Sequence, residues 1–197
     1  MTQIWGRPVG PDGKAKPNAA GDTPWLRVGT TCLPDAVPGR PTLGMATIRA
    51  AFHDTAFARA RVLIQPEGNV TLVNLATFFR VQWDQAGFQP GEVDAIDPAR
   101  MLGYRVAIRP TLVGYRYVFG DGVSSAPTRS AGGVYPGGDV RHTYTRRGQV
   151  TARVEVTFGG EFRLGDGSWL PIDDTVTVAM PGTRVSVREA RAVLVNQ

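Results

Sequence analysis

The chain has 197 residues, 42% hydrophobic and 20% charged, a balance that excludes an intrinsically disordered protein. Its net charge of +5 is carried almost entirely by arginine, with lysine only at Lys14 and Lys16, a ratio typical of GC-rich genomes. A basic surface attracts polyanions at long range, but the densest group, Arg141, Arg146 and Arg147, is too sparse for a nucleic-acid patch.

The single cysteine, Cys32, rules out an intramolecular disulfide and a paired-cysteine zinc site, and reads as a small buried hydrophobe. No apolar run, Thr71–Phe79 included, approaches the roughly 20 residues of a membrane helix. Met1, Thr2 and Gln3 are not followed by a secretory leader, so either the protein is cytoplasmic or a leader has been removed. The 24 glycines and 15 prolines punctuate short runs of Val, Thr, Tyr and Phe, the pattern of many short strands.

In chain order, residues 1–23 are polar apart from Ile4, Trp5 and Val9, and are expected as a poorly ordered leader or a strap along a neighbouring domain. Trp25–Thr31 predicts a strand, and Leu33–Pro41, with three prolines, a loop. Thr42–Asp54 has helical period through Leu43, Ile48, Ala51 and Phe52, with Thr42 as N-cap. Strands are predicted over Arg61–Gln65 and Thr71–Trp83, joined as a hairpin by Pro66–Asn69. Gln85–Met101 is a long connection or a pair of short strands. Further strands follow at Tyr104–Pro110, Leu112–Phe119, Val140–Thr145, Val150–Phe158, Glu161–Leu164, Thr175–Met180, Arg184–Val187 and Ala190–Val195. Strands every 8 to 12 residues with turn chemistry between them are the cue for a β-sandwich.

One segment is more specific. Tyr115–Gly122 ends in Phe119-Gly120-Asp121-Gly122, followed by Ser124 and Ser125, by His142-Thr143-Tyr144, by Gly148, and by the alternating strand from Val150. This succession resembles the PKD (polycystic kidney disease) domain family over about residues 104–195. The resemblance implies an immunoglobulin-like sandwich in which Asp121, His142 and Tyr144 join the ends of facing strands and do not act as an acid/base pair. Two departures stand out, an insertion at Arg129–Asp139 and a further hairpin region at Gly159–Asp174, and loops of this kind are where recognition is added to a scaffold. The chain as a whole is similar to secreted or surface-attached actinobacterial proteins that end in a PKD-like domain. Some of those are labelled nucleotide-binding, but Gly10–Ala15 has the wrong glycine spacing for a phosphate loop.

Parts for catalysis are scarce. His53 and His142 are the only imidazoles, and neither a Gly-x-Ser-x-Gly elbow nor a His-Glu-x-x-His pair occurs. His53 fits a favourable charge at a helix C-terminus. Asp121, Asp166, Asp173 and Asp174 fall near strand ends, where a carboxylate pair or calcium site is conceivable, but solvated turns account for them. Candidate recognition residues are the aromatics at loop or strand-edge positions, Trp83, Phe88, Tyr135 and Trp169, with Trp169 singled out, although core packing claims such residues at least as often, and Arg146.

The reading is a mainly β chain: a leader over 1–23, an N-terminal α+β region over 24–102, and a PKD-like sandwich over 103–197. It is expected to be a non-enzymatic, secreted or cell-envelope binding module, without cofactor or metal, contacting a surface protein or a cell-wall or capsular polysaccharide. The alternatives are an accessory subunit of a secretion or pilus assembly and, behind it, an acidic-residue hydrolase.

Overall fold

The computed structural model describes residues 2–7, 25–31 and 42–190. Two compact units divide the chain, Met1–Met45 and Ala46–Gln197. In the first, β1 (Thr2–Gly6) pairs antiparallel with β2 (Leu26–Thr31). The expected leader therefore contains a strand, and the Arg7 guanidinium lies 4.4 Å over the ring of Trp25. Cys32, the predicted Leu33–Pro41 loop and most of the predicted Ala190–Val195 strand lie outside the described residues.

The second unit is mainly β. One sheet has three strands in the order β3-β5-β8, formed by β3 (Ala60–Gln65), β5 (Ala76–Trp83) and β8 (Arg141–Thr143). The other has six: β4 (Val70–Leu72), β11 (Thr183–Arg188), β9 (Gly148–Leu164), β7 (Val106–Val118) and β6 (Asp94–Ile96) in that order, with β10 (Leu170–Ala179) also paired to β9. Every pairing is antiparallel except β4 with β11. Aromatic side chains join the inner faces. Phe79 meets Phe119 at 5.0 Å between centroids, and Trp83 meets Phe158 at 6.0 Å.

The sheets do not divide at residue 102. β4 and β6 pair with β11 and β7, while β3 and β5 share a sheet with β8. Of the α+β region expected over 24–102, β2 belongs to the first unit, while β3 to β6 supply strands to the same body as the C-terminal half.

The predicted hairpin across Pro66–Asn69 is a crossing between sheets. A single 3₁₀ turn at Glu67–Asn69, with Gly68 at φ +78°, delivers the chain from β3 to β4, which pairs in parallel with β11. The chain crosses back over Val73–Leu75, where Asn74 takes φ +63°, so the predicted strand Thr71–Trp83 is two strands in different sheets. The buried hydroxyls of Thr71 and Thr77, 2.7 Å apart, tie the two together.

Elsewhere the predicted breaks are continuous strand. Tyr104–Pro110 and Leu112–Phe119 merge into β7, which has an irregularity between Leu112 and Gly114. Gly159 and Gly160 lie inside an unbroken β9, so the expected hairpin at Gly159–Asp174 is present as the outer end of the longer β9–β10 hairpin, with Leu170 opposite Phe162. These glycines are close-approach positions: a Cβ on Gly159 would come within 2.9 Å of Thr111 Oγ1, and one on Gly160 within 2.8 Å of the Phe52 ring.

Phe52 belongs to α1 (Met45–His53), which starts three residues after the expected cap, Thr42. Its buried face is Ile48, Ala51 and Phe52, the i, i+3, i+4 stripe of an amphipathic helix. Phe52 packs edge-on to Phe57 at 5.5 Å, and Phe57 stacks on Phe158 at 4.5 Å. The helix thus covers the inner face of the lengthened part of the large sheet.

Candidate functional site

The Phe119–Gly122 turn ends β7 and faces β8 of the other sheet. Gly120, at φ +89°, brings its backbone against the Thr151 carbonyl so closely that no Cβ fits. Asp121 Oδ1 accepts the Val123 N–H at 3.1 Å, closing an Asx turn, and Oδ2 lies 2.7 Å from His142 Nε2. The His142 ring stacks on Phe119 at 4.2 Å with only 2° between planes, and meets Tyr144 edge-on at 4.8 Å. The Tyr144 hydroxyl donates to the Phe119 carbonyl at 3.0 Å. Partial burial disfavours the Asp121 carboxylate, but its bonds from His142 and the Val123 N–H outweigh this and hold its pKa below the usual value. Burial pushes the Tyr144 phenol well above its ordinary range. The arrangement is a clasp between two sheets: the imidazole bonds Asp121 through Nε2 and packs against the rings of Phe119 and Tyr144.

The sequence-predicted contact residues are not brought together. Trp83, the last residue of β5, is half-buried and packs against Tyr115 and Phe158. Phe88 is half-buried, bridged to Phe57. Arg146 is exposed in the turn between β8 and β9. Trp169 lies on the outer face of the large sheet with the Arg109 and Arg163 guanidiniums 4.4 and 4.9 Å from its ring centre. Arg109 is itself held by Glu161 through two bonds of 3.0 and 2.6 Å. The indole is therefore engaged by cation–π contacts within the chain.

Tyr135 is different. It projects from the opposite outer face, that of the three-stranded sheet, and is 67% exposed. Adjacent residues of a strand point to opposite sides, so while Phe79 enters the core, Phe78 emerges beneath Tyr135, which meets it edge-on at 5.7 Å. The Arg129–Asp139 insertion carries the tyrosine and is fixed to the sheet at several points. Val81 N–H donates to the Ala131 carbonyl, Gly133 N–H to the Phe79 carbonyl, and the Tyr117 hydroxyl to the Ser130 carbonyl. Ser130 Oγ bonds Asp139 at 2.8 Å, and the Tyr135 N–H donates to Gln65 Oε1 at 2.7 Å.

Two adjoining depressions, of about 430 and 320 Å³, run along this face and share Gln65, Glu67 and Phe78. The first adds Asn69, Arg80 and Val134, and the second Leu75, Pro66 and Tyr135. The cleft thus joins an exposed ring and apolar floor to an amide, a carboxylate and a guanidinium, the mix by which a shallow site holds a ligand that is apolar on one face and hydroxylated on its rim. Gln65, Glu67, Asn69 and Phe78 went unmarked in the sequence. The available signal was the doublet Phe78–Phe79, which obliges one large ring to face outward in any strand.

The remaining carboxylates are dispersed. Asp166 faces Arg105 at 3.4 Å, and Asp174 lies 2.8 Å from His53 at the end of α1. Hydrogen bonds from His53 and the Thr175 N–H lower the Asp174 pKa, whereas burial raises that of Asp94 against the pull of Arg100. Among the described residues no group of three or more His, Cys, Asp or Glu is placed to hold a metal ion. No helix among them is long and apolar enough to cross a membrane. No protein-family model, no curated protein and no solved structure matches the chain.

Proposed function

We propose that the chain is an immunoglobulin-like, PKD-like module of the cell envelope or secreted space that binds carbohydrate without turnover, through the Tyr135 cleft. The observation that carries the reading is the exposed tyrosine, braced on Phe78 and Gln65 beside a polar rim. A ring held in place stacks on a sugar face at little conformational cost, and Gln65, Glu67 and Asn69 supply partners for ring hydroxyls.

The immunoglobulin-like part of the proposal rests on strand pairing. The opening edge is split between sheets, β3 lying antiparallel to β5 in one and β4 parallel to the last described strand, β11, in the other. Antiparallel β7-β9-β11 on one side and β3-β5-β8 on the other then form two facing sheets with connections that cross between them. The clasp of Asp121, His142 and Tyr144 fits the PKD-like motif, and the extracellular location comes from that resemblance.

Val134, 51% exposed beside the ring, and Leu75 favour a second reading in which the same cleft takes an apolar side chain of a partner protein, as in an accessory subunit of a surface assembly. The test is retention of the purified chain on an array of neutral cell-wall and capsular glycans, with a pull-down from envelope extract in parallel. Glycan retention reduced about tenfold or more by Tyr135→Ala is the expected result. Retention of a protein alone, sensitive to the same change, moves the function to the second reading. Retention indifferent to Tyr135 contradicts both.

A further inference from the structure

The opposite face of the sandwich carries a further depression, built by different means. On the outer side of the large sheet, Gly114 lies directly opposite Thr157, and Thr157 opposite Thr177, so three strands present one glycine and two short hydroxyl side chains in a row. The irregularity between Leu112 and Gly114 breaks the alternation of β7 just there. The chain segment around Thr128 pairs with the free edge of β7 through Tyr115, its N–H and carbonyl both bonded, and forms a bank. Gly114 permits this approach, since a Cβ would come within 3.0 Å of the Thr128 carbonyl. The result is a transverse groove of about 390 Å³, within the range of small-ligand sites.

The charged residues lining it are Arg116, Arg129 and Glu155, a positive balance. Glu155 is shared between Arg153 at 3.2 Å and Arg116 at 3.8 Å, so one carboxylate faces two guanidiniums. Arg129, on the bank, is exposed, and no carboxylate among the described residues pairs with it. The Thr157 and Thr177 hydroxyls, 2.9 Å apart, cover the floor and keep acceptor and donor capacity toward the groove. A neutral sugar would use the floor and leave the arginines idle.

We propose that this groove is a second binding site, for carboxylate-bearing sugar units of an acidic polysaccharide. The sugar carboxylate sits between Arg116 and Arg129, where planar guanidiniums match its two oxygens, and ring hydroxyls reach Thr157, Thr177 and Glu155. The site is independent of the Tyr135 cleft, which lies on the other sheet and carries a different chemistry. With both occupied, one copy of the chain holds two polymer strands on opposite faces.

The experiment is calorimetric titration of the full chain with tetragalacturonate, alongside maltotetraose as the neutral probe and inorganic polyphosphate as the non-sugar anion. Tetragalacturonate is expected to bind, to weaken with added salt, and to lose about fivefold to tenfold in affinity in Arg129→Gln, an exposed-loop change that spares the fold. Thr157→Val is expected to weaken it as well, while Tyr135→Ala leaves it unchanged. Lack of tetragalacturonate binding, or binding indifferent to Arg129→Gln, overturns the proposal. Polyphosphate binding as tightly, with Thr157→Val having no effect on either anion, also overturns it, by reducing the groove to a cationic surface. Because the Tyr135 reading is scored with neutral glycans and the Tyr135→Ala variant, either site can fail while the other stands.

Discussion

Asp121 shows how much one short motif determines. It stands at the end of one sheet and His142 on the edge of the other, and their 2.7 Å contact is only partly open to water, with side chains 24% and 13% exposed. The Asp121 pKa is lowered in the folded chain, so the carboxylate contributes stability that is fully present above its unfolded value of about 4 and is lost as pH falls through the lower folded value. Asp121→Asn is therefore expected to cost about 1–3 kcal/mol in urea unfolding near neutral pH, and the gap from the parent chain should close as both are titrated toward acid. A gap that stays constant with pH would mean that the charge does not carry the clasp. This residue was legible in the sequence because a Gly-Asp-Gly turn is local chemistry. Trp169 and Tyr135 were equally legible as aromatics, but which of them lies open depended on neighbours distant in the chain, Arg109 and Arg163 for one and Phe78 and Gln65 for the other.

At the scale of elements, the periodicities of α1 and the separate strands were readable, whereas strand continuity and partnership were not. Gly159 and Gly160 read as a break because glycine commonly ends a strand, yet they continue β9 by letting Thr111 and Phe52 press close. The parallel pairing of β4 with β11 joins segments from the two ends of the unit, a choice that no local pattern encodes. Packing of α1 gives a direct check. Phe52 is fully buried and lies against both Gly160 and Phe57, so Phe52→Ala removes the main contact of the helix with the sheet. A loss of about 3–5 kcal/mol in denaturant unfolding is expected, with faster amide exchange through Met45–His53 than elsewhere. A cost under about 1 kcal/mol would show that α1 is peripheral to the fold.

Across the whole molecule, residues 46–190 make one body of two sheets, tied at one end by the Asp121–His142 clasp and covered by α1 along the lengthened part of β9 and β10. Its inner faces are filled by aromatics, so on the proposed reading recognition falls to the outer faces, where the two sheets differ. The small sheet presents an open ring and an apolar floor, and the large one a hydroxyl and guanidinium groove. On the proposed reading, the small-sheet cleft is the contact surface for a neutral glycan. Amide chemical-shift mapping of the isotope-labelled chain, titrated with a glycan retained on the array, tests it most directly. Shifts concentrated at Gln65, Glu67, Asn69, Val134 and Tyr135, and abolished in Tyr135→Ala, are the predicted result. Shifts centred elsewhere on the sandwich, with those amides unmoved, would contradict it.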